Sequence, residues 1–142
     1  MGILPGLCLA TALASTFVPG QQFTLAWVHS IEKVRWEEDY RVDLRAGARL
    51  VATEARVRGS AAGMEPPPGA VLRDGWFAYA PQDRYPQELR LSRSEFVPDY
   101  ELCVNQNAGE RPGPDSRDCQ PMARWLPSDG SITTVRACTG QP

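Results

Sequence analysis

One histidine, His29, is all that this chain of 142 residues holds, and no Cys-x-x-C occurs among its four cysteines. A Cys/His zinc pattern needs more imidazoles than that, so a structural metal is excluded as the first explanation of the cysteines. The charged residues, 15 basic against 17 acidic, form neither a basic stripe nor an acidic tail, which argues against a nucleic-acid partner and against a solvating linker. The longest uncharged apolar run, Gly2 to Val18, falls short of the roughly 20 residues that cross a bilayer as a helix. No segment has a helical apolar period and no internal repeat is visible. No Gly-Lys-Ser/Thr follows the glycine-rich stretch, so it is not a phosphate loop, and no D-x-D-x-D-G orders oxygens for calcium.

Turn formers are plentiful, with 13 prolines and 12 glycines, and they favour many short elements over long helices. The chain is the length of one domain. Phe23 to Trp27 alternates with its large apolar side chains on one face. From Glu38 a second alternation sets Tyr40, Val42 and Leu44 against Asp39, Arg41, Asp43 and Arg45, read as a solvated face. Ala46-Gly47 turns the chain, and Leu50 to Arg58 returns as the hairpin partner, with Arg49 and Arg56 available to sit across from acidic residues. Leu7 to Ala10, Ala14 to Val18, Trp76 to Tyr79, Leu89 to Leu91 and Tyr100 to Val104 read as further strands. Met122 to Leu126 and Ile132 to Cys138 read as a closing pair, with a short turn of helix as the other reading of Ala123 to Leu126. The expectation is an all-β single domain over residues 1–142: a sandwich or partly open barrel of about 8–10 short, mostly antiparallel strands. For residues 1–20 the strand reading is favoured over a cleaved signal segment, because no Lys or Arg precedes the run and Pro5 and Gly6 interrupt it.

Four cysteines, Cys8, Cys103, Cys119 and Cys138, pair fully in three ways, and two disulfides would place the chain in an oxidising compartment. Cys103 with Cys119 would close a Gly/Pro/Asp-rich loop, leaving Cys8 and Cys138 to tie the ends together.

The densest chemistry lies in His29 to Tyr40, HSIEKVRWEEDY, and the Gly59 to Gly69 loop is the stretch best suited to fold over it. Candidate binding residues are His29, Ser30, Glu32, Lys33, Trp36, Glu37 and Glu38 in the first, with Gly59, Ser60, Gly63, Met64 and Glu65 in the second. His29 and Ser30 are neighbours on a strand and point to opposite faces, so they do not form a nucleophile and base; only a distant serine such as Ser60 would serve. No catalytic residue, cofactor or metal is therefore assigned. The plainer readings have His29 pinning the glycine loop and the acids Glu32, Glu37, Glu38 and Asp39 solvated and paired with Arg35, Arg41 and Arg56. Trp36 then anchors the sheet.

The blocks HSIEKVRWEEDYRVD and RGSAAGMEPPPGAVLRDGWFAY, with the leucine-rich Glu88 to Ser94 and Trp125-Leu126-Pro127, resemble the bacterial domain-of-unknown-function family 1850 from about Leu7 to Cys138. The resemblance implies a companion of TAXI-type TRAP (tripartite ATP-independent periplasmic) transporters, in the periplasm or at the membrane periphery. Such a protein would contact the transporter's membrane subunits or solute-binding protein and act without catalysis. The alternative is a small-molecule or ion-binding β module with its pocket between His29–Glu38 and the Gly59–Glu65 loop.

Overall fold

A computed structural model describes residues 3–28, 33–59, 68–105 and 118–141. Eleven strands and one 3-10 turn are found among them, all strand pairings of the two sheets being antiparallel. Strands β1 (Leu4–Ala10), β2 (Ser15–Pro19), β8 (Leu89–Leu91) and β11 (Thr133–Gly140) form a four-stranded sheet in the order β2-β1-β11-β8. The larger sheet holds β3 (Gln22–Val28), β4 (Arg35–Asp43), β5 (Arg49–Arg58), β6 (Val71–Arg73), β7 (Trp76–Tyr79), β9 (Glu101–Asn105) and β10 (Asp118–Pro121), in the order β10-β9-β3-β4-β5-β7-β6. The two pack face to face as a sandwich and do not close into a barrel.

Alternation explains the core. Leu7 and Leu9 of β1, Val18 of β2 and Val135 of β11 meet Phe23 and Leu25 of β3, Tyr40 and Val42 of β4, Leu50 and Ala52 of β5, and Leu102 of β9. Burying a side chain of this size is worth about 1.5–3 kcal/mol, and the cluster joins both sheets. The apolar N-terminal run is thus an integral part of the core, with β1 between β2 and β11. Gly6, which interrupts that run, is required there: a Cβ would lie 2.4 Å from the Val18 carbonyl oxygen and 2.5 Å from the Phe17 ring.

The expected hairpin is β4–β5, with Arg49 opposite Asp43 and Arg56 opposite Glu37. Its register shifts at Asp39/Tyr40, where Thr53 is left over as a bulge and donates its hydroxyl to the Asp39 carbonyl at 3.3 Å. Without that shift Glu54 and Arg56 would share the core face with Leu50 and Ala52. The bulge turns both to the outer face and sends Ala55 and Val57 inward.

Three expectations are corrected. Met122 to Leu126 is not a strand pairing with Ile132 to Cys138: Met122–Arg124 is a 3-10 turn, and β11 pairs with β1 and β8 instead. Pro121 and Pro127 bracket the segment, the Trp125 and Leu126 amides donate to the Met122 carbonyl, and Met122 and Leu126 plug the core. The acidic face of β4 is not solvated, since Asp39 and Asp43 are buried, while Leu44, expected inward, lies just past the strand end and is exposed. The third correction is the charge pairing. Arg35 and Arg56 do meet the acids, but Glu37 and Asp39 are buried with them, and no ion pair joins Arg41 to any acid among the described residues. Two short strands, β6 and β10, had no signal strong enough to be read. β6 joins β7 through a two-residue turn, Asp74-Gly75, with both φ angles positive (51° and 85°).

Candidate functional site

Strand alternation splits the acidic run of β4 between two chemically opposite faces. Outward, Thr24, Glu37, Asp39 and Arg56 make a buried network, with half-buried Glu54 at its edge: Arg56 spans Glu37 (2.8 Å) and both oxygens of Asp39 (2.7 and 3.0 Å), and the Thr24 hydroxyl donates to Asp39 at 2.7 Å. Arg35 extends it to Glu37 at 2.8 Å and to Glu101, and Arg73 reaches Glu54 at 2.6 Å. Every carboxylate in this network has an arginine, as ionised groups out of water require.

Inward, Glu38 stands alone. It is opposite Leu25 on β3 and Ala55 on β5, and among the described residues no cation lies within ion-pair distance of it. Its partner is the Tyr40 hydroxyl, two residues along the same face. Burial raises the Glu38 carboxyl above its ordinary pKa, with the Tyr40 hydrogen bond opposing the rise in part. The phenols around it respond in kind. Burial and then the Glu38 charge raise Tyr40 on β4, Tyr79 on β7 and Tyr100 just before β9.

These groups line a cleft of about 730 Å³ between the inner face of the large sheet and the β8 edge of the small one. Four strands cannot cover seven, and the cleft opens where β8 ends the smaller sheet. Leu25 and Trp27 come from β3, Tyr79 from β7, Leu89 to Leu91 from β8, and Pro81, Gln82, Asp83, Pro86 and Glu88 from the connection before it. Trp27 is held on two sides: it stacks on Trp36 (centroids 6.3 Å apart, planes at 10°) and lies tilted against Tyr100 at 6.0 Å. Size, aromatic walls and a few convergent polar groups are the ordinary attributes of a ligand site.

The residues singled out from the sequence scatter. His29, Ser30, Glu32, Ser60, Gly63, Met64 and Glu65 lie outside the described residues, and so does most of the pocket expected between those two stretches. Of the rest, Glu38 lines the cleft. Glu37 lies on the opposite face, so the acids of β4 do not converge on one cation, and no group of three metal-ligating side chains is found among the described residues. Trp36 stacks on Trp27 with its indole Nε1 buried and without a hydrogen-bond partner among the described residues. Lys33 is exposed and adopts a left-handed φ of 60°. Gly59 ends its strand by donating its amide to the Gly75 carbonyl at 2.6 Å, an approach so close that a Cβ would sit 3.1 Å from that oxygen. Tyr40, Tyr79, Asp83 and Tyr100 were missed as site residues. An aromatic on the same face as Glu38, two positions on, was the available signal for Tyr40; nothing local marks the others.

A family model described as a domain of unknown function, DUF1850, matches residues 23–109, more than half of the chain. The chain belongs to the DUF1850 family. Comparison with curated proteins and with solved structures gives no significant match. The matched span of this DUF1850 protein runs from β3 to just past β9, and so includes Trp27, Glu38, Tyr79 and Tyr100 of the cleft.

Both cysteine pairs are bonded, Cys8 to Cys138 and Cys103 to Cys119, and no cysteine is free. Both bonds fit an oxidising compartment. No helix among the described residues is long and apolar enough to cross a membrane.

The isolation of Glu38 has a measurable signature. A carboxyl whose pKa is raised by folding contributes its stability below the unfolded-state pKa and loses it as pH rises through the folded value. Glu38→Gln is therefore expected to be more stable than the wild type at pH 7 and to lose that advantage near pH 3.5. Urea unfolding at the two pH values checks it. A variant less stable than the wild type at pH 7 would mean that Glu38 has a counter-charge.

Proposed function

We propose that this DUF1850 protein is a non-catalytic, extracytoplasmic binding protein that holds a small ligand in the Glu38 cleft and serves as an accessory of a TAXI-type TRAP transporter. The observation that carries the binding role is the cleft itself, a preformed aromatic-walled space with an isolated carboxylate. Its described lining holds no serine, threonine, cysteine, histidine or lysine, and its ionisable side chains are the carboxyls Glu38, Asp83 and Glu88, the tyrosines and Arg90. The two disulfides support a place outside the cytoplasm. Family resemblance supports the transporter setting, in which the contacts are the membrane subunits or the solute-binding protein.

Affinity capture from detergent-solubilised membranes, with the protein in its oxidised form, tests the setting. Transporter membrane subunits or the solute-binding protein should co-elute at near-stoichiometric yield, and their absence at low salt rejects the transporter role. A thermal-shift series against amines, dicarboxylates, amino acids and sugars tests the binding role. A ligand at a hundred times its dissociation constant adds about 2.7 kcal/mol to stability, an effect too large to miss.

A further inference from the structure

We infer that the Glu38 cleft takes a small organic cation, an ammonium-bearing ligand whose charge is seated at Glu38 among the rings of Trp27, Tyr79 and Tyr100. This rests on the binding role proposed above and names its ligand class.

Counter-ions carry the argument. Glu37, Asp39, Asp43, Glu54, Glu88, Asp99 and Glu101 each have an arginine within 3.4 Å, including the three that are more deeply buried than Glu38. Among the described residues Glu38, on the inner face of the large sheet, is reached by no arginine and has the Tyr40 hydroxyl as its partner. A carboxylate withdrawn from water gains most from a cation, and the missing charge is what a ligand in this cleft would supply. The surroundings repeat the preference. Asp83 and Glu88 add negative charge to the lining, whose one described cation, Arg90, is already engaged by Glu88 at 3.2 Å. Aromatic faces attract an ammonium through their quadrupoles, and the Trp27 ring is fixed beforehand by Trp36 and Tyr100. An anionic ligand would meet the like charge of Glu38 and Asp83, with Arg90 already paired to Glu88. The volume of about 730 Å³ admits a molecule of metabolite size.

Proton linkage follows from the same groups. Facing Glu38 are Tyr40 from its own strand, Tyr79 from β7, Tyr100, Asp83 and the Glu88–Arg90 pair. Among these groups Glu38 is the carboxyl that burial raises above its ordinary pKa. A cation binds the ionised form, so its affinity should rise with pH as Glu38 loses its proton and level off above.

Isothermal titration of the disulfide-intact protein with choline and 1,5-diaminopentane tests this, beside 3,3-dimethyl-1-butanol as the neutral isostere of choline, glutarate as an anion and glucose as a neutral polyol. At least one cation should bind at least tenfold tighter than every uncharged or anionic probe. Its affinity should fall from pH 8 to pH 4.5 as Glu38 takes up its proton. Glu38→Gln should lose tenfold or more and abolish the pH dependence. Asp83→Lys, on the exposed connection, should weaken the cation without disturbing the core, which keeps the test valid if Glu38→Gln does not fold. Binding of the neutral isostere, glutarate or glucose as tightly as the cations overturns the cation assignment and leaves a ligand-binding cleft. Cation binding indifferent to both substitutions overturns it as well. If no probe of any charge binds, the cleft is not a ligand site and the binding role falls with it.

Discussion

Serine at both Cys8 and Cys138 is expected to cost this protein about 4 to 5 kcal/mol, against the roughly 5–15 kcal/mol that holds an ordinary domain folded. The bond closes a loop with a sequence separation of 130, against 16 for Cys103–Cys119. In the chain-entropy model the stabilisation grows with the logarithm of loop length, so the short loop contributes only about 3 kcal/mol. Position adds to length. Cys8 lies on β1, which carries Leu7 and Leu9 into the core, and Cys138 lies on β11, the strand between β1 and β8. Without the bond those two strands are held by their ladder and by core packing alone. Denaturant unfolding of the two double-serine proteins under oxidising conditions decides the order. A larger loss for Cys103→Ser/Cys119→Ser would mean that loop length does not govern these cross-links. Peptide mapping without reduction should find both pairs in protein isolated from its native compartment; four alkylatable thiols would remove this argument together with that for export.

Arg56→Met should destabilise by about 3–5 kcal/mol, the usual result of leaving buried carboxylates behind when their cation is removed. The Arg56 side chain is 4% exposed, and the carboxylates it bridges, Glu37 and Asp39, are 0% and 5% exposed. Glu37 would keep Arg35, whereas Asp39 would keep only the Thr24 hydroxyl. Most of the loss therefore falls on Asp39, and Arg56→Met combined with Asp39→Asn should recover a large part of it. Arg45→Ala makes the contrast. That side chain is 81% exposed although it reaches Asp43 at 3.3 Å, and its removal should change stability by less than about 0.5 kcal/mol. Urea midpoints at pH 7 read all of these, and a loss under about 1 kcal/mol for Arg56→Met would show that the network is hydrated.

The β4–β5 hairpin shows how far local pattern reaches. Alternation from Tyr40 to Val42, the Ala46-Gly47 turn and the return from Leu50 are properties of neighbouring residues, and the structure has the hairpin they imply; that Arg49 falls opposite Asp43 and, past the bulge, Arg56 opposite Glu37 was decided by the fold. The all-β class and the strands at Phe23 to Trp27, Trp76 to Tyr79 and Leu89 to Leu91 were determined in the same way, because a period of two records which side chains leave water. That the polar side of β4 would be dry as well was not recorded. Asp39 and Asp43 look solvated by pattern, yet both are buried, because arginines from β5, a strand separated from them by a turn and a bulge, neutralise them there. Met122 to Leu126 has the apolar content of a strand but ends as a turn, because the Tyr100 carbonyl accepts its first amide and the core accepts Met122. The cleft was beyond local reading altogether. Glu38 stood out as an acid in a dense stretch, but its isolation depends on Tyr79, Asp83 and Tyr100, which lie 41 to 62 positions away and reach it only once β5, β7 and β9 have taken their places in the sheet. Strand order follows from how whole faces fit together, and a carboxylate without a counter-ion is a property of that fit, not of any stretch of chain.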